Sequence, residues 1–298
     1  SQKFGLPFAV LLRSSLGFNG AKFFGLLRSL VGIFLFGIQT YFLSKLLVYL
    51  IRISIFSIDN TLLDQEIFLT FLFGLNVIDW FSIILVIIFQ TMLFSIGIQY
   101  NKKLINYSAI IVYVGMVIFF LTVFLSDVKI TTQAFSNILN FENLINKNNI
   151  LPLLTVAGTI FSYFSIIIVS FGDFSRYVKN KEDLNKGNLS LILNLIIFSF
   201  FSIAIVVGSD VFLNQKFQDM NRIFTNPTDI IGKFDNLQIT IVVLFFIIIS
   251  SASTNLVANY IPSQYSLINF LPNKLNLKSS SYTISILGLI VGIFWLTV

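Results

Sequence analysis

Six stretches of the chain, roughly 26–50, 77–99, 105–126, 152–172, 188–212 and 238–260, are mainly apolar. Each is close to the ~20 residues that a helix needs to cross a hydrocarbon layer about 30 Å thick. A seventh opens near Tyr282 and is still apolar at the last residue, Val298. Turn and cap residues that hydrocarbon rejects separate the runs: Asn101-Lys102-Lys103, Asn146-Lys147-Asn148-Asn149, Lys179-Asn180-Lys181-Glu182-Asp183 and Asn226-Pro227. The runs are too long for strands, and alternation of period two is weak. Helices are therefore expected, and an outer-membrane barrel is not. Composition agrees: 56% of the 298 residues are hydrophobic and 11% charged. A soluble domain of this size carries about 25% charged residues.

The net charge of +6 is uneven along the chain. One set of inter-span segments (1–28, 100–104, 173–187 and 261–281) holds twelve basic residues and three acids; the opposite set holds six basic residues and ten acids. Lysine and arginine collect on the cytoplasmic side, so the first set is expected there. The basic balance is then a topology signal, and nucleic acid is not an expected partner. Lys45, near one helix end, is expected to snorkel. The chain opens on Ser1-Gln2-Lys3 and a loop-like stretch, and ends inside an apolar run. It reads as one transmembrane domain over 1–298, incomplete at both ends, in a multi-pass protein of an inner or plasma membrane.

The chain has no cysteine and no histidine, which removes thiol chemistry and any imidazole base. No carboxylate pair lies within a span, and there is no glycine-rich phosphate loop. Nothing in the sequence supports an enzyme, and no cofactor is implied.

Polar side chains inside a bilayer are costly and usually face a bundle interior or cavity. Gln39, with Gly37 beside it in the first span, suits either an interhelical hydrogen bond or a ligand. The sixth span carries Ser250-Ser251-Ala252-Ser253-Thr254-Asn255 and then Asn259. At helical spacing Ser250, Ser253 and Thr254 share one face, and Asn255 and Asn259 form an i, i+4 pair about 100° away. Such neutral oxygens suit a hard cation such as Na⁺, or hydrogen bonds to their own helix. Phe164 could stack on a flat ligand or fill a core. Asp173 and Arg176, at i, i+3 on a span boundary, read as a helix cap and ion pair. Gln90, Asn194 and Asp79 read as interior bonding or span ends.

Four segments together resemble the nucleobase:cation symporter-1 family. They are Gly5-Leu6-Pro7-Phe8-Ala9-Val10-Leu11-Leu12-Arg13-Ser14-Ser15-Leu16-Gly17 with Gly20-Ala21-Lys22 and Leu26-Leu27-Arg28; Phe36-Gly37-Ile38-Gln39-Thr40; Asp173-Phe174-Ser175-Arg176-Tyr177; and Ser253-Thr254-Asn255-Leu256-Val257-Ala258-Asn259-Tyr260-Ile261-Pro262. The resemblance implies a leucine-transporter-type inverted-repeat bundle, of which this chain supplies family helices three to nine. It implies uptake of a nucleobase or related cyclic amide such as uracil, allantoin or hydantoin, coupled to Na⁺ or H⁺, with a lean toward the uracil/allantoin branch. Gln39, Asn259 and Phe164 match the substrate-binding positions, with Gly37 beside the glutamine. Ser253 and Thr254 match the hydroxyl ligands of the cation, and Ser250 a carbonyl ligand. Leu35 stands where the family has a second stacking tryptophan, so one ring face is missing. Alternatives are a membrane receptor or scaffold for a similar ligand, or a symporter of another small solute such as thiamine.

Overall fold

The structure is a computed structural model and describes residues 1–96, 98–126, 128–129, 132–133, 136, 147–216, 230–231 and 236–295. The described elements are helical, as the apolar runs predict. They are α1 (Phe8–Ile58), α2 (Val77–Ser95), α3 (Ile98–Ser126), α4 (Lys147–Val169), the short α5 (Phe171–Ser175), α6 (Lys181–Lys216), α7 (Leu237–Asn255), a π-helical turn (Leu256–Tyr260), α8 (Ile261–Phe270) and α9 (Leu277–Phe294). Among the described residues, six helical stretches are long and apolar enough to span a membrane. The expected span at 152–172 falls on α4, whose described apolar stretch, Ile150–Ser162, is shorter. Phe81, Phe89 and Met92 on α2, and Leu189 and Ile196 on α6, are large apolar side chains left exposed. A multi-pass membrane protein turns such faces toward acyl chains.

Two boundaries differ from the sequence reading. The stretch expected as a loop before residue 26 is already helical from Phe8. Gly17 breaks that helix with φ near 67°, a left-handed conformation that glycine adopts without a Cβ penalty. The last helix starts at Leu277 rather than Tyr282, because Asn276 and Ser279 form a reciprocal capping box. It is 18 residues long, so it is a full candidate span. The boundary residues Asn146 and Asn226-Pro227 lie outside the described residues.

The chain divides into two compact units. The first comprises Ser1–Ile111, Ser170–Tyr177 and Ile247–Val298. Its core joins Ile33 and Phe36 of α1, Ile87 and Phe94 of α2, Leu256 and Tyr260 of the π turn, Ile261 and Leu267 of α8, and Ile284 of α9. Tyr260 is fully buried, with its ring centroid 4.6 Å from Phe94 and its hydroxyl donating to Ser281. α1 and α9 approach closely: a Cβ on Gly37 would lie 2.5 Å from the carbonyl oxygen of Gly288. The second unit comprises Val112–Val169 and Val178–Phe246. There Phe120 packs on Phe201 with centroids 5.5 Å apart, Gly115 makes room for Phe246, and Tyr113 donates to Asn194 Oδ1 at 2.6 Å.

Candidate functional site

In the first unit, α1, α2, α7 and the π turn bring a line of buried polar groups together. Thr40 Oγ1 donates to Gln90 Oε1 at 3.0 Å and accepts from Asn255 Nδ2 at 3.0 Å. Asn255 Nδ2 also reaches the Phe36 carbonyl at 3.3 Å. Asn259 Nδ2 donates to Asn255 Oδ1 at 3.0 Å and to Gln39 Oε1 at 2.8 Å. Both amide hydrogens of Asn259 are thereby spent, which fixes the way its carboxamide faces. Among the described residues, the groups of the Gln39–Asn259 pair left open are an acceptor, Asn259 Oδ1, and a donor, Gln39 Nε2. Gln90 is 1% exposed, and its Nε2 has no partner among them.

The i, i+4 relation of Asn255 and Asn259 survives in a widened form. Leu256–Tyr260 is π-helical, and the N–H of Ile261 bonds the carbonyl of Leu256, five residues back. Such turns insert a residue into a helix and are frequent at functional sites. One helical turn earlier, Ser253 Oγ and Thr254 Oγ1 both donate to the carbonyl of Ser250, at 3.0 and 2.9 Å. Three oxygens are therefore gathered on one half-buried face.

Other expected site residues lie elsewhere. Gly37 faces away from the Gln39 carboxamide and packs on Gly288 and Val291, so its place is the α1–α9 contact. A two-residue separation on a helix turns side chains by about 200°, which is the physical reason. Leu35 is half-buried on α1, and Phe164 half-buried on α4 in the second unit.

The charged groups depart most from expectation. Asp173 caps α1 rather than its own helix, accepting the N–H of Phe8 at 2.9 Å. Its expected ion pair with Arg176 does not form; among the described residues the ion pairs are Lys45–Asp79 and Lys186–Glu182. Arg176 instead lies over the rings of Tyr265, at 4.1 Å, and Tyr177, at 4.6 Å. Burial pushes the Asp173 carboxyl up to about 6, against the opposing pull of the Phe8 N–H and then of Arg176 and Arg28. Lys45 does not snorkel alone but pairs with Asp79 at 2.9 Å and sits over Tyr41. Arg28, counted as a cytoplasmic loop charge, is 7% exposed. Its Nε donates to Ser170 Oγ at 2.7 Å and its Nη2 to the Ala258 carbonyl at 3.0 Å. Arg28 and Thr40 carry no site role in the sequence reading, whereas Gln90 makes the interior bond expected of it. The Thr40-Gln39 neighbourhood was the available signal.

Helices that expose apolar faces and bury carboxamides define a polytopic membrane protein. The chain belongs to the family of permeases for cytosine/purines, uracil, thiamine and allantoin, which it matches over residues 1–297. It is 23% identical over 290 residues to a purine-uracil permease of Arabidopsis thaliana, covering 96% of this chain and 45% of that protein. It is 24% identical over 291 residues to an allantoin permease of Bacillus subtilis, covering 96% of this chain and 56% of that protein. The chain thus spans about half the length of these curated relatives. No solved structure matches it significantly.

Proposed function

We propose that the intact protein imports a nucleobase or related cyclic amide, of the uracil, allantoin or hydantoin type, by symport with Na⁺ or H⁺. The observation that carries this reading is the amide pair. With Asn259 Nδ2 committed to Asn255 and Gln39, an acceptor oxygen and a donor nitrogen stand side by side. An imide or urea edge carries N–H next to C=O and complements them: its N–H meets Asn259 Oδ1, and its carbonyl meets Gln39 Nε2. The names of the relatives, which are permeases for purine-uracil and for allantoin, support that chemical class. Leu35, standing where the family has a stacking ring, costs roughly 0.5–1.5 kcal/mol of stacking.

For the coupling ion, the Ser250 carbonyl, Ser253 Oγ and Thr254 Oγ1 are the ligands offered. Their two hydroxyl hydrogens now point at that carbonyl; rotating them away presents three oxygens to a cation. Cation binding would favour the outward-open arrangement, and rocking of one helix bundle against the other would release the solute inside.

The test uses the full reading frame in proteoliposomes with labelled uracil, allantoin and hydantoin. Saturable, cation-dependent uptake with counterflow is expected, lost in Gln39→Ala and in Asn259→Ala because a buried imide loses its partners. Binding without counterflow would make the protein a receptor. Unchanged uptake in either variant removes that residue from the site. Thr254→Ala should abolish the cation dependence; if the dependence stays intact, the hydroxyl cluster is helix packing.

A further inference from the structure

We infer that Arg28 is a positioning residue for the substrate site: its guanidinium holds the proline-freed backbone of the π turn that presents Asn259. The inference rests on the amide-pair reading above.

Pro262 follows the π turn in the first turn of α8. It has no N–H, so neither the carbonyl four residues back, that of Ala258, nor the one five back, that of Val257, receives a helical bond from position 262. Arg28 Nη2 donates to the Ala258 carbonyl at 3.0 Å from the neighbouring helix. The next carbonyl belongs to Asn259 and accepts from Ser263 Oγ at 2.6 Å, while Ser29 Oγ donates to the Ser263 carbonyl at 3.2 Å. One face of α1 therefore ties down the backbone on both sides of Asn259.

Gly32 makes that approach possible. A Cβ there would fall 2.8 Å from Arg28 Nη1 and 3.0 Å from the Asn259 carbonyl oxygen, and would run into Ser263 Oγ. The guanidinium is anchored at its other edge, where Nε donates to Ser170. Three residues on, Asp173 lies within electrostatic reach of Arg28. A charge this deeply buried needs such partners. Arg28 touches neither Gln39 nor the side chain of Asn259; it acts on Asn259 through the backbone.

A residue that only ties helices together would affect stability, and no change at Pro262 would offset its loss. A residue that replaces a missing backbone bond predicts a specific rescue: Pro262→Ala restores an N–H that reaches the Ala258 carbonyl when the turn takes the four-back register. The experiment measures binding of labelled uracil, allantoin and hydantoin to the purified full-length protein, with thermal unfolding in parallel. Arg28→Met is expected to weaken binding of whichever probe the wild type takes by about tenfold or more. Arg28→Met with Pro262→Ala is expected to recover at least half of that loss on a logarithmic scale. Binding within twofold of wild type in Arg28→Met, or a loss that Pro262→Ala does not recover, overturns the inference. If Arg28→Met does not reach the membrane, Arg28→Lys, which keeps the charge but not the two-edged donor set, takes its place under the same criteria. Asn259→Ala is measured beside them. If it binds like wild type, the amide-pair reading has failed. If it loses binding while Arg28→Met keeps it, only the role of Arg28 has failed.

Discussion

Replacing Asn255 with alanine tests whether the buried polar line orients the site or merely glues helices. Asn255 is fully buried and makes three contacts: to Thr40 Oγ1, to the Phe36 carbonyl and from Asn259 Nδ2. Hydrogen bonds between membrane helices average about 0.6 kcal/mol each, so their loss costs about 2 kcal/mol. The space left by the carboxamide adds roughly 1 kcal/mol. Thermal unfolding should register about 3 kcal/mol, enough to lower the midpoint by several degrees while leaving a folded protein. The effect on ligand binding is separate. Asn259 would keep Gln39 as its partner, yet nothing would hold its second N–H, and the carboxamide could turn its donor toward the ligand's N–H. Losing one well-oriented bond to a buried polar group costs about 1–2 kcal/mol, or roughly 5- to 30-fold in affinity. Binding of labelled uracil or allantoin to purified protein, below its unfolding temperature, reads this directly. A folded Asn255→Ala protein that binds with wild-type affinity would refute the argument that Asn255 sets the facing of Asn259.

Other substitutions probe the frame around the site. Gly37→Ala should destabilise the bundle by about 2 kcal/mol or more, because its methyl group would meet a backbone carbonyl at 2.5 Å as well as Val291; unchanged thermal stability would dissolve the α1–α9 contact. Asp79→Ala removes the partner of Lys45 and one half of the capping box that starts α2, and should cost roughly 1–2 kcal/mol, with Asp79→Asn losing less in the same melt. Asp173 gives the protein a pH signature. Its carboxyl is raised from 3.8 to about 6 in the folded state, so between those values the folded protein binds a proton that the unfolded chain lacks. Stability should therefore fall as pH rises from about 4 to about 6, by up to roughly 3 kcal/mol. Asp173→Asn should flatten that part of the profile, and a slope that persists in the variant would assign it to another group.

How far the sequence carried depended on which physics each feature obeys. Helical class follows from apolar run length, a property that no tertiary contact alters, and five of the six complete runs recur as candidate spans, while the run at 152–172 falls short and the last run is a full one. The pairing of Asn255 with Asn259 was equally legible, because helical periodicity sets it locally. Helix ends were less so: Gly17 and the Asn276–Ser279 box act through backbone conformation and capping, and an apolar count passes over both. Charges misled most. Arg28, Asp79 and Asp173 sort by side of the membrane, and Lys45 reads as a snorkelling residue. The structure instead pairs Lys45 with Asp79, and gives Arg28 and Asp173 partners from segments more than a hundred residues away. A charge near a span end satisfies the same topology rule whether it faces water or a neighbouring helix, so composition cannot separate the two.

The separation comes from the backbone. Pro262 offers the Ala258 carbonyl no N–H. A carbonyl freed inside a packed bundle takes a donor from whatever helix lies alongside, and Gly32 clears the space for one with a long side chain. Read in that order, proline, freed carbonyl, glycine and arginine form one device. The apparent loop charge at position 28 then belongs to the same construction as the carboxamide at position 259.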